Sequence, residues 1–380
     1  MTLLLDEALL DDPDALAAAD RGGTLVALAG AGAQLRLALT AAQEAGVERI
    51  AEDGRPRSVV VAALGSTALV GDLLSAFAGP GSPVPVQAVH ARTLPGWVGP
   101  VDLVVAVSLS GAAEGPLAVA AEAARRGSRL LTVGAPESPL ADVSARAHGI
   151  HVPVARGLRS SRSSLWSLAV PVLAGAAALG LLDVPSAAFE EAAGVLDDVA
   201  ERARPSSEAF VNPAKSLALD LAGTIPLVLG EGDLAGVAAS RAAYQLARYA
   251  RHPAVSGVLP DAAAEIVASF DGPFVRQADD IFADPFEGGA TSLRLLLLRD
   301  DTADDETRQV SDVVRDTAVA GGVRVNEVEA EGSHDLARVA GLLALTDFAA
   351  VYLALGAGLD PLTSPHVTDL RDALRGGPGR

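Results

Sequence analysis

Cysteine is absent from the 380 residues. That excludes disulfides, thiol catalysis and cysteine-ligated zinc or iron–sulfur centres. Positive charge is scarce: 29 Lys and Arg stand against 48 Asp and Glu, for a formal net charge of −19. The phosphates of nucleic acids and anionic lipids would be repelled by such a chain, so neither nucleic acid nor a membrane surface is expected as a partner. There is no G-x-x-x-x-G-K-[ST] loop. Gly30-Ala-Gly32 starts like a dinucleotide fingerprint, but Leu35 stands where the third glycine belongs, and no cofactor is expected. His148 and His151 are close in sequence but have no carboxylate neighbour, so no metal site is expected either. A positive n-region is missing from the acidic start MTLLLDEALLDDPDALAAAD. The uncharged stretch Leu165–Leu182 nearly reaches bilayer length, yet Ala and Gly dominate it and Pro171 interrupts it. It reads as a helix buried in a core, and the protein is expected to be soluble and cytoplasmic.

What the sequence does contain is apolar material, 50% of its residues, in a length that exceeds one typical core. After a helical start over residues 1–22, short continuous apolar runs alternate with longer Ala-rich segments. Strands are expected at Ser58–Leu64, Val84–Val89, Asp102–Leu109, Arg129–Val133 and Ile150–Val154. Pro116–Arg126 reads as a helix stopped by Gly127. Residues 160–205 hold no convincing strand and give two helical stretches, Leu165–Leu182 and Ser186–Arg204. The rhythm then resumes, with strands at Ile225–Leu229, Leu293–Leu298 and Val323–Val328 and helices at Ala235–Arg251 and Asp305–Ala320. This alternation predicts an α/β fold with two doubly wound parallel sheets and a helical connection between them.

Three segments could carry chemistry. Gly65-Ser66-Thr67 follows the first strand, where hydroxyls and free backbone N–H groups at a helix start attract an anion. Alone, it reads more readily as a helix cap. Ser108-Leu109-Ser110-Gly111 sits in the same kind of place, at the carboxyl end of a strand and before a helix. Ligands of open parallel sheets gather there, and two hydroxyl-rich turns in one sheet point to a phosphate site. Arg156-Gly-Leu-Arg159-Ser-Ser-Arg162-Ser-Ser is a basic, hydroxyl-rich cluster suited to phosphate or carboxylate, or to a solvated loop between the two halves.

GSTALVGD, SLSG and the Arg162 segment resemble the sugar isomerase (SIS) domains of the bifunctional phosphoglucose/phosphomannose isomerases. Asn212-Pro-Ala-Lys215, Ser240-Arg241, Leu259-Pro260-Asp261 and Asp347 through Tyr352 to Asp360-Pro361 follow that family's order. The resemblance implies an N-terminal SIS domain with a helical start (1–158), a helical connection (159–206) and a C-terminal SIS domain (207–376). It implies a phosphorylated hexose as ligand and a homodimer. The apolar helices Leu165–Leu182 and Leu336–Leu355 are expected to need a second subunit for burial. By the same resemblance Ser66, Thr67, Ser108 and Ser110 fall at phosphate-binding positions, and Arg162 matches an arginine that stabilises enediolate charge.

The departures bear on chemistry. Counting from Arg241, the family's catalytic glutamate becomes Arg248, and its ring-opening histidine becomes Ala264. A C-terminal lysine aligns with Arg371, and Ala113 replaces a phosphate-binding threonine. Aldose–ketose isomerisation needs a base that moves a proton between adjacent carbons. Arginine stays protonated and alanine has no proton to exchange. Glu265, Asp261, Glu114 and His252 are the available substitutes, with Glu265 the nearest in sequence to the lost histidine. The expected function is therefore binding of a phosphorylated hexose with weak or lost isomerase activity. The alternative is an active glucose 6-phosphate/mannose 6-phosphate isomerase with Arg162 and Glu265 as a shifted catalytic set.

Overall fold

The computed structural model describes residues 5–90, 92–275 and 291–376. Two parallel sheets carry the fold. The first is built from β1 (Val59–Ala62), β2 (Val86–Val89), β3 (Leu103–Ser108), β4 (Arg129–Gly134) and β5 (Ile150–Pro153) in the order β2-β1-β3-β4-β5. The second contains β6 (Thr224–Glu231), β7 (Val255–Leu259), β8 (Ser292–Arg299) and β9 (Arg324–Glu329) in the order β7-β6-β8-β9. Every pairing in both sheets is parallel. β1 and β3 are buried along their whole length, which is why their sequences are unbroken apolar runs rather than alternating ones.

The strand β7 departs from expectation. It is an edge strand whose first residue, Val255, is exposed, and its Ser256-Gly257 pair interrupts the apolar run that marks the central strands. Helices Thr24–Ala29 and Ala31–Glu44 are also additions to the expected elements, because they are rich in Ala, Gly and Leu and lack a side-chain cap. Gly32 lies inside the second of them. A Cβ there would stand 2.7 Å from the Ala193 carbonyl oxygen, so this glycine lets two helices approach closely and has no part in a dinucleotide loop.

Helix Leu165–Ala178 packs on β3 and β4, with Pro171 inside it, and is buried over most of its length. Helix Asp335–Gly356 is long and apolar enough to cross a membrane, but 89% of its apolar window is buried inside the protein. Both apolar helices are thus covered within a single chain, and neither requires a second subunit. One continuous apolar core runs from the inner face of the first sheet through these helices to β6 and β8.

Several sequence landmarks prove to be structural. Asn212 caps helix Pro213–Leu221 by accepting from the N–H groups of Ala214 and Lys215. Lys215 is fully buried and donates to the carbonyls of Pro205 (2.8 Å) and Ser207 (2.6 Å) while lying over the Tyr352 ring. Tyr352 in turn donates to the Ala203 carbonyl. These contacts tie the helical segment after Ser186 to the second sheet's helices.

Candidate functional site

The candidate site opens at the carboxyl ends of β1 and β3, where a doubly wound sheet leaves a crevice. After β1 the chain turns through Gly65, whose φ of +65° only glycine adopts without strain, into a short 3₁₀ turn of Gly65–Thr67. Thr67 is buried in this turn and closes it: its hydroxyl donates to the Leu64 carbonyl (3.0 Å) and accepts from the Leu64 N–H (3.2 Å). Ser66 is half-buried and shares a hydrogen bond with the hydroxyl of Ser161.

After β3 the turn is held by close backbone packing. A Cβ on Gly134 of β4 would lie 2.5 Å from the Ser108 carbonyl oxygen, so that strand must carry glycine there. Ser108 accepts from the Ala113 N–H and Ser110 from the Ala112 N–H, both at 3.3 Å. Neither serine donates to a protein acceptor among the described residues, so both hydroxyl protons are available to a ligand. Helix Glu114–Arg125 starts immediately afterwards without a side-chain cap, leaving its first N–H groups unsatisfied by side chains.

The loop after β5 supplies the cationic wall. Arg162 is 7% exposed, donates to the carbonyls of Arg248 (3.3 Å) and Leu362 (3.4 Å), and lies 4.9 Å from the centre of the Tyr249 ring. Burial pushes its pKa below the usual guanidinium value, and the positive charges of Arg248 and Arg371 act in the same direction. Its own carbonyl accepts from Arg241 (2.7 Å) and Gln245. Arg241 is buried and locked to buried Asp347 by three hydrogen bonds. The Arg162 backbone is therefore anchored to the two long helices of the C-terminal half.

All these parts line one cavity of about 900 Å³. Ser66, Thr67, Ser108 and Ser110 stand at one part of its wall, with Arg156, Arg159 and Arg162 from the loop. Helix Gly232–Tyr249 adds Tyr244 and Arg248, and helix Pro365–Gly376 adds Val367, Thr368 and Arg371. Among the described residues, its lining contains no aspartate, glutamate or histidine. Tyr244 and the last helix, apart from Arg371, do not stand out in the sequence, because nothing local marks a surface helix that closes over a distant turn.

The expected substitutes for the missing base are not brought to this cavity by the chain itself. Glu265 and Asp261 are exposed, Glu265 and Ala264 on helix Ala263–Ala268 and Asp261 just before it. Glu114 is exposed and paired with Arg92. His252 is buried, with Nε2 lacking a partner, and burial pushes its pKa down. The imidazole of His151 engages the Thr132 hydroxyl and the Ala135 carbonyl. Among the described residues no three His, Asp or Glu side chains cluster as metal ligands. A second cavity, of about 950 Å³, shares residues 154–160 with the first and is otherwise bounded largely by helices Thr24–Ala29 and Ala31–Glu44. Val26 and Leu37 are exposed at its edge.

The chain is also similar to known proteins. Residues 210–374 match the family of the bacterial phospho-glucose isomerase C-terminal SIS domain. The chain is 25% identical over 317 residues to the bifunctional phosphoglucose/phosphomannose isomerase of Caldicellulosiruptor bescii, covering 83% of this chain and 89% of that one. The chain is thus similar, at a distance, to the SIS-domain phosphosugar isomerases. The fold is likewise shared with solved structures. The C-terminal domain of glucosamine-fructose-6-phosphate aminotransferase from Francisella tularensis superposes with a TM-score of 0.65 at 13% identity, over 89% of this chain and 97% of that one. A glucose-6-phosphate isomerase from Chlamydia trachomatis gives 0.62 at 14% identity, over 89% of this chain and 72% of that one.

Proposed function

We propose that the protein binds a phosphorylated hexose in the 900 Å³ cavity and has weak or no isomerase activity. The phosphate is taken by the hydroxyls of Ser108 and Ser110 with the adjacent helix N–H groups, while Ser66 and Thr67 shape the facing turn. Arg162 faces the reacting end of the sugar. The observation that carries this reading is the composition of the lining: hydroxyls and arginines, with no carboxylate and no imidazole among the described residues. Proton transfer between C1 and C2 needs a group that both accepts and returns a proton near neutral pH. Guanidinium groups do not, and Arg248 occupies the cavity position that the resemblance gives to the family's glutamate.

The competing reading, an active isomerase using Arg162 and Glu265, requires Glu265 to be delivered by a second chain. We also propose a cytoplasmic homodimer with SIS domains at 1–158 and 207–376 and a helical connection at 159–206, without metal or cofactor. Exposed Val26 and Leu37 beside the second cavity are consistent with a covered face. Titration calorimetry with glucose, mannose and fructose 6-phosphates tests the proposal. Ser108→Ala with Ser110→Ala should weaken binding at least about tenfold, the scale of losing hydrogen bonds to a charged group. Unaltered affinity in that double variant would refute the site.

A further inference from the structure

The cavity contains more positive charge than one phosphate uses. Five arginines line it in a protein of net charge −19. Arg156 is neutralised across the surface by Glu137. Among the described residues, no carboxylate pairs with Arg159, Arg162, Arg248 or Arg371. Arg162 lies close enough to two of the others to feel them, since the charges of Arg248 and Arg371 both disfavour its protonated form. Like charges gathered without counter-ions repel, and such an arrangement is relieved when an anion binds. Two further features say where that anion goes. Arg162 is more than nine-tenths buried and spends its donors on carbonyls only. The Nε of Arg248 is buried without any partner. These groups come from three separate elements, the loop after β5, helix Gly232–Tyr249 and helix Pro365–Gly376, and none belongs to the serine turns.

We propose that the cavity is built for a sugar phosphate carrying a second fixed anionic group, held by Arg162, Arg248 and Arg371 while the serine turns hold the phosphate. The ligand class is a sugar bisphosphate or a phosphorylated sugar acid. Either places a full negative charge permanently at the arginine end, where the planar guanidinium fork recognises phosphate and carboxylate alike. A hexose monophosphate offers only hydroxyls there and leaves three cations uncompensated. The volume of about 900 Å³ accommodates the longer ligand, being at the upper end of ordinary small-molecule sites.

This inference rests on the phosphosugar reading of the serine turns, and one titration series separates the two. Fructose 6-phosphate, fructose 1,6-bisphosphate and 6-phosphogluconate are titrated at fixed ionic strength. At least one doubly anionic sugar should bind about tenfold or more tightly than fructose 6-phosphate, the scale of one added charge-assisted contact. Whichever does identifies the second group as phosphate or carboxylate. Arg248→Gln and, independently, Arg371→Gln on an exposed helix position should bring that affinity ratio towards one. Ser110→Ala should lower the affinity of all three sugars together. Fructose 6-phosphate binding as tightly as both doubly anionic sugars overturns this inference and leaves the phosphosugar site standing. Ratios unchanged in both arginine variants overturn it as well. Failure of all three sugars to bind overturns the inference and the site together.

Discussion

Removing the carboxylate of Asp347 should reveal how the site is held to the core. Arg241 and Asp347 are 4% and 5% exposed. Arg241 Nε donates to both carboxylate oxygens (2.9 and 3.1 Å), Nη2 adds a third bond (2.5 Å), and Gln245 supplies a fourth (3.2 Å). In Asp347→Ala the guanidinium stays buried with only the Arg162 carbonyl as partner. Breaking one side of a buried pair costs about 3–5 kcal/mol, because the remaining charge is uncompensated. An unfolding entropy of about 2.1 cal/mol/K per residue puts ΔS near 0.8 kcal/mol/K for a chain of this length, so a loss of about 4 kcal/mol lowers Tm by about 5 °C. Replacing both partners, Arg241→Met with Asp347→Leu, should recover most of that loss, since an apolar pair of similar volume is often neutral or stabilising. Phosphosugar affinity should not recover in the double variant, because the Arg162 carbonyl has lost its main donor. Thermal and urea unfolding, followed by calorimetry with fructose 6-phosphate, read both effects. A single variant that loses less than about 1 kcal/mol, or a double variant no more stable than the single one, would refute the reasoning.

Other outcomes follow from the same geometry. Ser110→Ala alone should weaken fructose 6-phosphate binding by about 1–2 kcal/mol and change Tm little, because the hydroxyl proton has no protein acceptor among the described residues and the variant gives up only an exposed 3.3 Å bond from the Ala112 N–H. Thr67→Ala should act the other way, costing about 1 kcal/mol of stability by opening the turn it closes, with affinity falling as a consequence. Burial holds the pKa values of His151 and His252 below the ordinary histidine value. Below about pH 6.5 the unfolded chain therefore takes up protons that the folded chain resists. Urea stability should be flat above about pH 7 and fall between about pH 7 and 5.5, less steeply in His151→Gln. Stability that rises on acidification through this window would contradict the assignment.

The sheets were legible because their central strands are buried on both faces and so appear as unbroken runs such as Leu103–Val107 and Leu295–Leu298. Edge strand β7 and helices Thr24–Ala29 and Ala31–Glu44 were not, since one is half-exposed and the others are rich in Ala and Gly and lack a side-chain cap, whereas the helical start over residues 1–22 was. The serine turns were legible from their place after strands. Their individual roles were not: in the folded turns Thr67 spends its hydroxyl on Leu64, whereas Ser108 and Ser110 keep theirs among the described residues. The arginine wall was visible only in part. Arg248 and Arg371 stand far apart in sequence and meet through tertiary packing against the loop that carries Arg162. Glu265, attractive by its sequence neighbourhood, sits on an exposed helix outside the cavity lining.

The central claim, a phosphosugar site without a proton-transfer base, is tested most directly by solvent deuterium exchange. Fructose 6-phosphate is incubated in D₂O with protein in excess, so that the sugar is bound, and the C1 protons are followed by NMR. Any route through an enediol must exchange a C1 proton or form an aldose, and each missing acid–base group lowers such a rate by about 10²–10⁴-fold. The account predicts saturable binding with no exchange and no glucose or mannose 6-phosphate over hours. Exchange or aldose formation within minutes, abolished by Glu265→Gln, would contradict it.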